Sequence, residues 1–158
     1  AVQRDGAVHT PEGLESFRVD YEFPPTAVAA MSGELACLRS GAKRDAAKTR
    51  GIRFAMRAGT PPRAVITINA SNADDPRRVD RFYGSFTVGT EWKVVTIHYR
   101  SLAVSLPWRE KWTARAGNLP GDGVLRPDRI EEIRIGLDPE QAPPGTGSFW
   151  LGDVTFFR

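Results

Sequence analysis

Arg129-Ile-Glu-Glu-Ile-Arg-Ile-Gly-Leu137 and, beyond a Pro/Gly-rich connection, Gly147-Ser-Phe-Trp-Leu-Gly-Asp-Val-Thr-Phe-Phe-Arg158 are the runs that decide the fold of this chain. In the first, Ile133, Ile135 and Leu137 alternate with Arg134 and Gly136, the period-two pattern of a strand buried on one face. The second is apolar on both faces. Phe149 and Leu151 share one side, whereas Trp150, Val154 and Phe156 lie mainly on the other parity. Such a strand is either interior to its sheet or crosses a bulge, and the core has to be built around it.

Working outward, the same alternation recurs along the chain. Phe17, Val19, Tyr21 and Phe23 alternate with Arg18, Asp20 and Glu22 until Pro24-Pro25 stops the ladder. Ile52, Phe54 and Met56 oppose Arg53 and Arg57, and Ile66 and Ile68 oppose Val65, Thr67 and Asn69. Phe82, Phe86 and Val88 oppose Tyr83, Ser85 and Thr87, and Val95, Ile97 and Tyr99 form the inward set of the next run. Glu34 to Arg39 reads as a further strand, although its composition also suits a helix. Residues 1–12 read as an arm or a short edge strand. Short strands at regular intervals, separated by turn residues and without a long helix, predict an all-β antiparallel sandwich. Ser101 to Pro127 breaks the pattern as a long stretch rich in Trp, Arg, Gly and Pro, expected to be a functional loop or a lid.

Composition narrows the function classes. With 158 residues, 41% hydrophobic and 26% charged, the chain is expected to form one domain with a real core. Its formal charge of +3 gives weak anion affinity without demanding nucleic acid. The basic clusters Lys43/Arg44/Lys48/Arg50 and Arg77/Arg78/Arg81 are short, and no nucleic-acid fold accompanies them. A single cysteine, Cys37, allows neither an internal disulfide nor a cysteine zinc cluster. No run approaches the roughly 18 apolar residues of a spanning helix, so no membrane span is expected.

Gly51-Ile-Arg-Phe54, Phe82-Tyr-Gly-Ser-Phe86, Trp92-Lys-Val-Val-Thr-Ile97, Ile130-Glu-Glu-Ile133-Arg-Ile135 and Gly147-Ser-Phe149-Trp-Leu151-Gly-Asp153-Val154-Thr-Phe156, in this order, resemble the galactose-binding-like jelly rolls. Within that fold the series is similar to the complex I intermediate-associated protein family and to the family-eleven carbohydrate-binding modules. The resemblance covers residues 14–158 and implies a jelly-roll β-sandwich without catalytic machinery that binds a glycan or docks onto a protein partner. Relatives often close with two successive aspartates, the first helping to hold a structural calcium ion. Here that pair reads Gly152-Asp153, which leaves Asp153 as the candidate calcium ligand. No other cofactor is implied, and a secreted or periplasmic module is expected.

The residues themselves argue against catalysis. The only histidines are His9, in the N-terminal stretch, and His98, on a strand, and no Gly-x-Ser-x-Gly elbow occurs. Asp74-Asp75 and Glu131-Glu132 are neighbours in sequence, which on a strand places their side chains on opposite faces. The aromatic residues are the stronger lead. Trp108 and Trp112 fall in the long loop, and flat indoles either stack on sugar rings or fold back as a lid. The polar strand faces offer Arg53, Arg57, Thr67, Asn69, Tyr83, Ser85 and His98. The expected glycan contacts are therefore stacking by Trp108, Trp112 and Tyr83, and hydrogen bonds from Asn69, Arg53 or Arg57. The alternative is an assembly subunit that docks into a larger complex.

Overall fold

The computed structural model describes residues 2–23, 37–40, 48–59, 63–71, 75, 77–105, 119–137 and 145–158. Its strands are β1 (Val2–His9), β2 (Glu15–Phe23), β3 (Cys37–Ser40), β4 (Gly51–Ala58), β5 (Arg63–Ser71), β6 (Arg78–Thr87), β7 (Lys93–His98), β8 (Ala103–Val104), β9 (Leu119–Pro120), β10 (Ile130–Leu137) and β11 (Gly145–Phe157). They form two sheets. Sheet A runs β1-β2-β11-β4-β7, and sheet B runs β3-β10-β5-β6-β8, with the short β9 lying parallel to β6. All other pairings are antiparallel. The molecule is an all-β sandwich, as the alternating runs require.

Alternation explains which side chains meet between the sheets. Sheet A contributes Val19, Tyr21, Ile52, Phe54, Met56, Val95, Phe149 and Leu151; sheet B contributes Phe82, Ile133, Ile135 and Leu137. Phe54 and Phe86 meet edge to face across the core with ring centroids 5.5 Å apart. Two packed inner faces of this kind are what a sheet with one apolar side needs.

β11 is the central strand of sheet A, flanked by β2 and β4, and it is bulged. Its pairing with β4 slips between Gly152 and Thr155, and Asp153 in that slip has φ 54°. Before the bulge Phe149 and Leu151 point inward; after it the parity inverts and Val154 and Phe156 pack against the core. Apolar residues on both parities are thereby reconciled with a single buried face.

Of the arm and the short edge strand left open for residues 1–12, the structure shows the edge strand: Val2–His9 pairs with β2 as β1, held by a Ser16 hydroxyl that donates to the Val8 carbonyl at 2.7 Å. Two other expectations are corrected. The 101–127 stretch is not wholly irregular, because β8 and β9 at its two ends both pair with β6. Tyr99, expected on a strand, begins a 3-10 turn at Tyr99–Ser101, though it is buried as foreseen. Burial raises its phenol pKa. Of the strand expected at Glu34 to Arg39, residues 34–36 lie outside the described residues. Among those described, no helix is long and apolar enough to cross a membrane.

Candidate functional site

The outer face of sheet B is set by the parity of β6 and β10. Because Phe82 and Phe86 turn inward, Arg81, Tyr83 and Ser85 turn outward; because Ile133 and Ile135 turn inward, Glu132 and Arg134 turn outward. Register aligns them in rows. Arg134, Thr67, Tyr83 and Ala103 are successive partners across four strands, and Glu132, Asn69 and Arg81 make the adjacent row. At about 4.8 Å per strand, Tyr83 and Arg134 stand about 10 Å apart with β5 between them. Tyr83 is 42% exposed, an aromatic ring offered to solvent from the middle of β6. Arg134 and Glu132 form an ion pair at 2.9 Å. The outer face thus presents an open ring on β6 and a charged pair on β10, with β5 between them.

The outer face of sheet A carries a different constellation. Trp150 on β11 faces Arg18 on β2 and Arg57 on β4, and the Arg57 guanidinium carbon lies 4.5 Å from its ring centroid. The same guanidinium is 5.6 Å from the centroid of Trp92, which precedes β7. The Trp150 indole N–H donates to Asp5 Oδ2 at 2.9 Å, tying edge strand β1 to the central strand. Arg18 pairs with Asp20 at 2.8 Å and reaches the Ser148 hydroxyl at 3.2 Å. The Trp150 hydrogen bond, aided by the Ala7 and Val8 amides, holds the Asp5 carboxyl below its usual range. The Ser148 hydroxyl, then Arg18, does the same for Asp20.

The bulge creates a third feature. Asp153 lines a cavity of about 150 Å³ together with Pro11, Glu12, Arg53, Phe54, Ala55, Val94 and Thr155. Both Asp153 carboxylate oxygens are buried and have no hydrogen-bond partner among the described residues. Arg53 in the same cavity wall pairs instead with Glu12 at 3.3 Å. Two orphaned anionic oxygens suit a cation, yet among the described residues no group of three or more His, Cys, Asp or Glu converges on one point. An ion here would draw most of its oxygens from main-chain carbonyls.

The structure divides the residues singled out from the sequence. Tyr83 and the backbone position of Asn69 share sheet B, while Arg53 and Arg57 share sheet A, on the opposite side of the sandwich. They do not form one site. Trp108 and Trp112 lie outside the described residues. Glu132, Arg134 and Arg81, on the same face as Tyr83, were not among the contacts expected from the sequence. Their signal was present as charges on the parity opposite the core set, but only strand order shows that β10 and β6 flank the same strand.

No family model and no curated protein matches this sequence. Solved structures do. A family 11 carbohydrate-binding module of the cellulosomal cellulase Lic26A-Cel5E of Clostridium thermocellum aligns with a TM-score of 0.64 and 16% identity, over 99% of this chain and 80% of that one. The two chains share a β-sandwich fold. A second family 11 structure from the same organism, in complex with a β-1,3-1,4-mixed-linked tetrasaccharide, aligns with a TM-score of 0.63 and 17% identity, over 99% and 81% of the two chains. A family 30 carbohydrate-binding module gives 0.61 and 16%, over 99% and 73%. At these identities the likeness establishes the architecture.

Proposed function

We propose that this chain is a non-catalytic carbohydrate-binding module that holds its glycan along the outer face of sheet B. The observation that carries the reading is Tyr83, an open aromatic ring on a sheet face whose neighbouring positions supply donors and acceptors. Apolar sugar faces stack on such rings, while Arg81, Ser85, Glu132 and Arg134 offer hydrogen bonds to hydroxyls on either side. The shared architecture with glycan-binding modules supports the same reading. In this reading the module works where polysaccharide is met, as a secreted or periplasmic protein.

The docking-subunit alternative, drawn from the resemblance to complex I intermediate-associated proteins, asks for one large apolar patch. Among the described residues the exposed large apolar side chains include Val94 on sheet A and Tyr83 and Leu119 on sheet B, so they do not all share one face. A structural calcium ion at Asp153, held with main-chain carbonyls, is part of the proposal. Its support is the pair of buried, unpartnered carboxylate oxygens at the bulge.

A glycan array followed by calorimetry tests the glycan reading, with the mixed-linked tetrasaccharide as the first soluble ligand. Tyr83→Ala is expected to weaken binding by about tenfold while the melting temperature moves by no more than about 2 °C. Wild-type protein that binds no glycan, or full affinity in Tyr83→Ala, overturns the placement of the site.

A further inference from the structure

Sheet A carries a row of alternating cations and indoles that the glycan site on sheet B does not use. Gln3, Arg18, Trp150 and Arg57 are successive cross-strand partners from β1 to β4, and Trp92, just before β7, lies beside Arg57. The two arginines differ. Arg18 is neutralised by Asp20. Among the described residues no carboxylate pairs with Arg57, whose guanidinium sits between two indoles, 4.5 Å from one ring centroid and 5.6 Å from the other. Its Nε is buried and has no hydrogen-bond acceptor among the described residues.

Stacking satisfies the faces of a guanidinium but leaves its N–H edge to be met by an acceptor. A cation walled by flat apolar rings, with only that edge to offer, is shaped for a planar anion taken in two-pronged fashion, and a carboxylate is such an anion. The rings beside it would lie against the apolar edge of whatever bears the carboxylate. We infer that the outer face of sheet A is a second contact surface, which reads the carboxylate of a uronic-acid-bearing polysaccharide through Arg57, with Trp92 and Trp150 as walls. The inference rests on the reading of the protein as a glycan binder. It agrees in sign with the chain's net charge of +3.

Calorimetry with an oligogalacturonate, the neutral mixed-linked tetrasaccharide, poly-glutamate and dextran sulfate tests it on wild type, Arg57→Gln, Arg57→Lys and Tyr83→Ala. The oligogalacturonate should bind wild type and weaken as salt rises. Both Arg57 variants should lose about tenfold or more for it, because lysine keeps the charge but not the fork, and neither should change affinity for the neutral tetrasaccharide. Unchanged thermal melting of Arg57→Lys separates lost contact from lost fold. Tyr83→Ala should retain oligogalacturonate binding, so loss of neutral binding there speaks to sheet B alone. Absence of oligogalacturonate binding in wild type, full binding in both Arg57 variants, or equal binding of poly-glutamate or dextran sulfate overturns the assignment.

Discussion

Asp5 accepts hydrogen bonds from the Trp150 indole and from the amides of Ala7 and Val8, at 2.9, 3.0 and 3.2 Å. Nothing in the neighbourhood of Asp5 in the chain announces this, since its main partner lies at the other end of the sequence. Asp122 is similarly engaged by Arg126, then by the Val124 amide, and its carboxyl is lowered to about 2. Four lowered aspartates among the described residues, Asp5, Asp20, Asp75 and Asp122, prefer the charged form when folded. Their stabilisation is therefore fully present above the unfolded carboxylate pKa of about 3.9 and is lost as pH falls through the lower folded values. The melting temperature should drop between about pH 5 and pH 2, and Asp5→Asn should flatten that slope relative to wild type. An equally steep acid limb in Asp5→Asn would show that the Trp150 contact contributes nothing to the acid transition.

The long strands were legible from their period because alternation is a local consequence of the pleat, and β2, β4, β6 and β10 appear where the apolar residues alternate, whereas the two-residue strands β8 and β9 are too short to show a period. Element ends were less so: Tyr99 keeps the strand's inward parity but closes a turn. The bulge in β11 was visible only as apolar residues on both parities, and the register slip at Asp153 explains them. Gly51 shows how tightly these elements meet, since a methyl group there would overlap the Ile97 carbonyl and the Phe157 ring. Gly51→Ala is expected to cost about 1–3 kcal/mol by overpacking, read as a lower denaturation midpoint with unchanged slope. A neutral substitution would mean that β7 and the end of β11 yield without strain.

At the scale of the molecule, the sandwich brings the N-terminal turn and the β11 bulge together around Asp153, in one cavity with Glu12 and Arg53. If calcium binds there and not to the unfolded chain, saturation at about a hundred times its dissociation constant stabilises by about 2.7 kcal/mol. The melting temperature should then rise by roughly 5–10 °C over the chelated protein, and Asp153→Asn should abolish the rise. Identical melting in calcium and chelator removes the metal from the proposal. By itself the sequence determined the all-β class and the inward faces of β2, β4, β6 and β10, because pleat and burial impose a period that needs no partner to be read. Only the tertiary structure decided that Arg53 and Arg57 lie on one sheet and Tyr83 on the other, that Arg134 falls in Tyr83's row with Glu132 in the next, and that Asp5 meets Trp150. Those juxtapositions depend on strand order and register, set by contacts between residues far apart in the chain, and alternation is the same for every order in which the strands might pair.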